Sequence, residues 1–136
     1  MDEYGAAAAY VYTTLSADVT LQGYQSTRVY EGMARGAFPC TVYQWQGGAD
    51  DVNMLGGTRV LTHLLMLIKA IQDGDSISTI STISARIDAL LHNASGTSNG
   101  YYQEWVRRSP FRLSERVDGV SYQHLGAVYE VLVHAV

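Results

Sequence analysis

Cysteine and proline are almost absent from this sequence: Cys40, Pro39 and Pro110 are the only examples in 136 residues. A lone cysteine cannot close a disulfide within the chain, which agrees with assembly in a reducing cytoplasm. Cys40 itself is expected as a small buried apolar side chain. Charge is also sparse, and its scarcer sign is positive: nine Lys and Arg against thirteen Asp and Glu leave a formal charge of -4. That balance argues against a protein that grips nucleic acid by neutralising phosphates, while leaving room for transient contact through a local basic patch. No apolar run reaches membrane-spanning length, since Ala6 to Val11 is far too short. Acidic Asp2 and Glu3 stand where a secretory signal would carry positive charge, so a soluble chain made inside the cell is expected, with no membrane partner.

At 47% hydrophobic residues, the length suits one domain over residues 1–136 built round a single core. A chain of this size buries roughly two thirds of its unfolded surface, so neither a disulfide nor a metal is needed for stability.

Tyr4, Ala8, Val11 and Leu15 recur at helical spacing behind the candidate cap Asp2, predicting an opening helix of about three turns in a region that Gly23 ends. Arg28-Val29-Tyr30 is a short β-prone run before a loop from Gly32 to Pro39. Cys40 to Gln46 reads as a strand with two partly apolar faces, and the glycine- and aspartate-rich stretch from Gly47 to Gly57 reads as a loop. The apolar run Leu64 to Ile68 fits a helix or a strand, and Thr58, Val60 and Thr62 tilt the segment Thr58 to Ile71 to a strand. Ile77, Ile80, Ile83, Ile87 and Leu90 or Leu91 then form one stripe of an amphipathic helix. Asn93 to Gly100 reads as a loop and Tyr101 to Arg108 as a strand interrupted at Ser109-Pro110. Phe111 to Val117 and Val120 to Ala135 flank Asp118-Gly119, the two-residue signal of a type I′ hairpin. The expected fold class is α+β, a mainly antiparallel β-sheet with two α-helices packed on it.

Catalytic and metal signals are thin. Gly96-Thr97-Ser98-Asn99-Gly100 matches G-x-S-x-G, but it leaves a helix and enters a strand, the reverse of a nucleophile elbow, so a small serine hydrolase using Ser98 is only a minor alternative. His63, His92, His124 and His134 lack metal-ligand spacing, and Asp50-Asp51 and Asp73 with Asp75 lack a partner base. The sequon Asn93-Ala94-Ser95 has no use in a chain that is not secreted. No phosphate-cradling glycine motif is present, and no cofactor or metal is expected. What remains is a basic cluster, Arg107, Arg108, Arg112 and Arg116. It reads either as a solvated strand face with acidic partners or as a contact surface for a neighbouring subunit or passing DNA. Asp50 and Asp51 are the candidate acidic counterpart.

Several segments taken in order resemble the tail terminator or tail completion proteins of long-tailed bacteriophages. They are Arg28-Val29-Tyr30-Glu31, Phe38-Pro39 leading to Val42-Tyr43, Ala85-Arg86-Ile87-Asp88-Ala89-Leu90-Leu91-His92, Pro110-Phe111-Arg112, and Gly119 to Tyr129 with Tyr122-Gln123-His124-Leu125-Gly126. Relatives often carry a second glycine where this chain has Ala127. The resemblance implies a two-helix α+β subunit of a hexameric ring at the head-proximal end of the tail tube. Its implied partners are copies of itself, the tail tube protein, the head-tail connector protein, and genomic DNA passing through the lumen without tight binding. It implies a virion protein of the tail or neck, assembled in the host cytoplasm, without catalysis. A head-completion or adaptor ring of the neck is the structural alternative, because its subunits are of comparable size.

Overall fold

A computed structural model of the protein describes residues 2–52 and 59–136. Helix α1 covers Glu3–Ser16, and α2 covers Val19–Gln25. The expected opening helix is α1, and a second, unexpected one follows because Asp18 caps it by accepting a hydrogen bond from the Leu21 amide at 3.0 Å. Gly23 lies inside α2 and does not end the helical region. Asp2 caps α1 as expected, accepting from the Gly5 amide at 2.8 Å. The alanines Ala6, Ala7 and Ala8 are buried, so this helix sits close on its support.

Strands β1 (Val29–Glu31), β2 (Cys40–Val52) and β3 (Arg59–Asp73) follow, then α3 (Ser78–Leu91), β4 (Ser95–Ser98), β5 (Tyr101–Val117) and β6 (Val120–Ala135). Among the described residues there are three helices where two were expected, on a six-stranded sheet of order β1-β2-β3-β6-β5-β4. The sheet is mainly antiparallel; β1 alone runs parallel to its neighbour.

Thr58 to Ile71 is confirmed as a strand from Arg59 onward, and the isoleucine stripe as a helix with Ile80, Ile83, Ile87 and Leu91 buried. Three strand and loop expectations also fail. The first half of the Gly47 to Gly57 loop is strand, because Gly47 to Val52 continue the ladder opposite Leu65 to Arg59; residues 53–58 lie outside the described ones. Glycine and aspartate have poor β propensity, but pairing with a strongly β-prone partner overrides it. The Asn93 to Gly100 loop contains β4 and a second tight hairpin, with Asn99 at φ 51° and Gly100 at φ 83°. Asn-Gly is as strong a type I′ signal as Asp118-Gly119, whose φ angles of 51° and 78° bear out the hairpin expected there. Finally, Ser109-Pro110 does not interrupt β5; the irregularity is a bulge between Arg107 and Ser109.

All three helices lie on one face of the sheet. Their apolar sides meet Leu64, Met66, Ile68 and Ala70 of β3, Ala127, Tyr129, Val131 and Val133 of β6, and Trp105 of β5 in one core. Full burial of an isoleucine or leucine contributes about 1.5–3 kcal/mol, so the α3 stripe supplies what its Ser/Thr-rich sequence lacks in propensity. Asp18 also receives both arms of Arg86 of α3, at 2.8 and 3.1 Å, tying α2 to α3. The opposite face carries no helix. Only at its lower end does the loop of residues 32–39 fold over it, burying Cys40, Val42 and Ile71 beneath Tyr30, Ala34 and Phe38. Cys40 is thus buried as expected, and desolvation pushes its thiol up to about 11.

Candidate functional site

The four arginines lie on β5, and the bulge decides where each points. Residues 107 and 112 would fall on opposite faces of a regular strand. The extra residue at Arg108 shifts the phase, so Arg107, Arg112 and Arg116 pair with Tyr129, Leu125 and Ser121, all on the helix side of β6. Arg108 is thrown to the other side, where its Nε donates to Glu130 Oε2 at 2.8 Å. Glu130 also meets His63 Nδ1 at 3.5 Å, and the Arg108 hydrogen bond, joined by His63, holds its carboxyl below the ordinary range.

The helix-side arginines differ among themselves. Arg107 stands 3.9 Å from Asp88 Oδ2, whose other oxygen accepts the buried Tyr129 hydroxyl at 3.1 Å. That burial, before the Asp88 charge, pushes the Tyr129 phenol far up. Arg112 meets no carboxylate among the described residues: it donates to Gln123 Oε1 at 2.9 Å and to the carbonyl oxygens of His124 and Leu113 at 3.3 Å. Arg116 reaches Ser121 Oγ at 3.3 Å. Two of the four are therefore neutralised by acids of their own chain, as the solvated-face reading requires. Arg112 and Arg116, toward the end of the β5–β6 hairpin, form no ion pair among the described residues.

Asp50 and Asp51 sit in β2, opposite Thr62 and Leu61, at the far end of the β2–β3 hairpin; their side chains lie outside the described residues. The structure does not bring the acidic and basic candidates together within one chain. It places them on strands near opposite edges and toward opposite ends of the sheet, since β2 and β5 are separated by β3 and β6.

Both of those strands are open along half their length. β4 pairs only with Tyr101 to Glu104, and Ala94 and Asn93 extend the cover as far as Trp105. From Arg108 to Val117 no described strand pairs with the outer edge of β5. Likewise β1 pairs only with Thr41 to Tyr43, and from Gln44 to Val52 no described strand pairs with the outer edge of β2. Pro110 sits at a position whose backbone groups face outward if the hairpin closes on Val117 and Val120, so its missing N–H weakens the edge and not the ladder.

Ser98 ends β4, and its hydroxyl accepts from Asn99 Nδ2 at 3.1 Å. The G-x-S-x-G pattern is thus a two-residue hairpin, with neither strand-to-helix turn nor histidine at the serine. Among the described residues no three His, Cys, Asp or Glu side chains converge as metal ligands, and no helix is long and apolar enough to cross a membrane. Sequence reasoning missed a polar pair on the uncovered face, His124 Nε2 with Glu115 Oε1 at 2.6 Å. The Asp118-Gly119 turn could have found it, because hairpin register sets Glu115 diagonally across from His124.

No protein-family model matches the sequence, and no curated protein matches it. A solved structure does. The chain is similar to a chain of the structure described as "Virion of native gene transfer agent (GTA) particle", with a TM-score of 0.67 and 22% identity over 98% of each chain. At that identity the likeness is one of fold, and it runs the whole length of both chains.

Proposed function

We propose that the protein is a virion structural subunit that closes into a ring, hexameric as the sequence resemblance implies, at the head-proximal end of a tail tube. There it ends tube polymerisation and offers the joint to the head connector. The full-length fold likeness to a chain from a virion particle supports the virion setting. One observation carries the ring: two half-open strand edges of opposite charge lie at opposite ends of the sheet.

A ring repeats a single heterologous contact, so each subunit must present two different and complementary patches. The Arg108 to Val117 edge of one copy and the Gln44 to Val52 edge of the next meet that requirement. β5 runs antiparallel to β6 and β2 antiparallel to β3, so the two edges approach as antiparallel neighbours. In that pairing Asp50 and Asp51 come to the level of Arg108 to Arg112. The offset between the edges corresponds to the stagger that tilted strands need when a sheet closes on itself. Opposite charges would steer docking and set register, and adjoining apolar surface would supply most of the affinity. Genomic DNA would pass such a lumen without tight binding, given the net charge of -4.

Light scattering on the purified 14.9 kDa chain should show an assembly near ~90 kDa, the mass of a closed ring of six, alone or on tail tubes as template. Arg112→Glu should weaken assembly, and Asp50→Arg with Asp51→Arg should partly restore it. Unimpaired assembly of Arg112→Glu would remove that arginine from the contact. Particles assembled without the protein should carry abnormally long tubes; free tails of normal length would move the ring to the neck.

A further inference from the structure

The uncovered face of the sheet carries a concavity. It lies between the loop of residues 32–39 and the end of the β5–β6 hairpin, has a volume of about 350 Å³, and is walled by Met33, Phe38, Val42, Ile71 and Tyr122. The loop is held in place at several points. The Gly32 amide donates to the Tyr43 carbonyl at 3.0 Å, Arg28 Nε donates to the Pro39 carbonyl at 3.0 Å, and the Phe38 ring packs on Tyr122 with centroids 5.3 Å apart.

Three polar side chains also line the cavity: Lys69, Glu115 and His124. Glu115 is committed to His124, and desolvation lowers the basicity of that buried imidazole. Lys69 is different. It is half-buried, and its ammonium forms no hydrogen bond or ion pair among the described residues; its close partner is the Phe111 ring, 5.4 Å away. The two meet across β6 because Gly126, which stands between them in register, has no side chain. The concavity thus joins apolar walls to an ammonium with no ion pair among the described residues, and its one carboxylate, Glu115, is hydrogen-bonded to His124.

We propose that this cavity is a binding site for a short stretch of a partner protein in which an apolar side chain stands next to a carboxylate. The apolar residue packs against the cavity wall of Met33, Phe38 and Val42, and the carboxylate meets Lys69. A volume at the low end of ligand pockets fits about two residues. The rim favours a macromolecule over a free metabolite: Met33 is 72% exposed and Val117 49% exposed at the mouth, and a partner surface would cover both. Glu115 and Val117 also belong to the Arg108 to Val117 edge, so the site borders the proposed ring contact, and peptide binding to the single chain tests it apart from ring assembly.

The test uses methyl and aromatic NMR spectra of the whole chain titrated with acetyl-Asp-Leu-methylamide, acetyl-Leu-Asp-methylamide, their Asn counterparts, and octanoate. Saturable shifts at Met33 and Tyr122 are expected with at least one acidic peptide, with affinity about tenfold weaker for its Asn counterpart. Lys69→Met should abolish that discrimination, and Lys69→Arg should retain it. Equal binding of acidic and neutral peptides, or no saturable shift at those residues with any probe, would overturn the proposal. Tighter binding of octanoate than of either peptide would overturn it too, by making the ligand an acyl chain.

Discussion

The two faces of the central strands have similar chemistry and opposite fates. Along β3, Leu64, Met66 and Ile68 are sealed under the helices, while Leu65, the residue between the first two, stays 37% exposed on the other side. On β6, Tyr129, Val131 and Val133 are buried, whereas the alternating Val128, Glu130 and Leu132 remain partly open. Strand periodicity delivers apolar side chains to both faces, but only one face receives helices; the other is covered at one end alone, by the loop of residues 32–39. Apolar residues on the covered face are used in folding. Those on the open face remain available for association, which is where an assembling subunit would keep them.

The largest expected effect sets those faces against each other. Ile83→Ala, beneath α3, should lower unfolding free energy by about 2–5 kcal/mol. Leu65→Ala should cost less than about 1 kcal/mol in the monomer, the scale of partly exposed positions. Urea denaturation of both variants at low concentration checks the contrast, and equal losses would mean that the open face is already covered. Next comes Gly126→Ala. A Cβ there would overlap the carbonyl oxygen of Ile68 in the neighbouring strand, so β3 and β6 would have to part. A loss of about 1–3 kcal/mol is expected, together with a changed Phe111 environment in the aromatic NMR spectrum.

The sequence made the covered face legible and the open edges illegible, for physical reasons. Ile80, Ile83 and Ile87 announce a helix because burial on one side imposes a 3.6-residue period. Asp118-Gly119 announces its hairpin because both residues tolerate positive φ. Asn99-Gly100 carried the same signal but was hidden in a run of small polar residues. The break between α1 and α2 turns on Asp18, a local cap that the helical spacing of its neighbours masked, and its tie to Arg86, 68 residues away, is visible only in the folded chain. The common face of Arg107, Arg112 and Arg116 was unreadable because a bulge leaves no mark in composition. The strand character of Gly47 to Val52 came from its partner strand and not from its own residues.

A smaller effect probes how the cover is held together. The Arg86 hydrogen bonds to Asp18, with help from the Leu21 amide, hold its carboxyl below the ordinary value of 3.8 against the opposing effect of burial. A depressed carboxylate contributes stability that is present above the unfolded value and lost as pH falls through the folded one. Stability should therefore decline below about pH 4. Asp18→Ala should flatten that part of the profile and cost about 1 kcal/mol at neutral pH through the lost cap. Thermal unfolding from pH 2.5 to 7 gives both readings.

The smallest expected effect has the opposite sign. Gly23 lies inside α2, where a glycine loses more backbone freedom on folding than an alanine does. Nothing lies within 4 Å of the place its Cβ would occupy. Its φ also lies outside the left-handed region, so an alanine fits without strain. Gly23→Ala should raise unfolding free energy by about 0.5–1 kcal/mol, read as a higher urea midpoint with an unchanged slope. Because α2 belongs to the cover, the gain should leave the open face untouched, and NMR shifts of Leu65, Val128 and Leu132 should match those of the parent chain. A loss of stability instead would show that Gly23 serves a close approach absent from this structure, and that the cover is packed differently above α2.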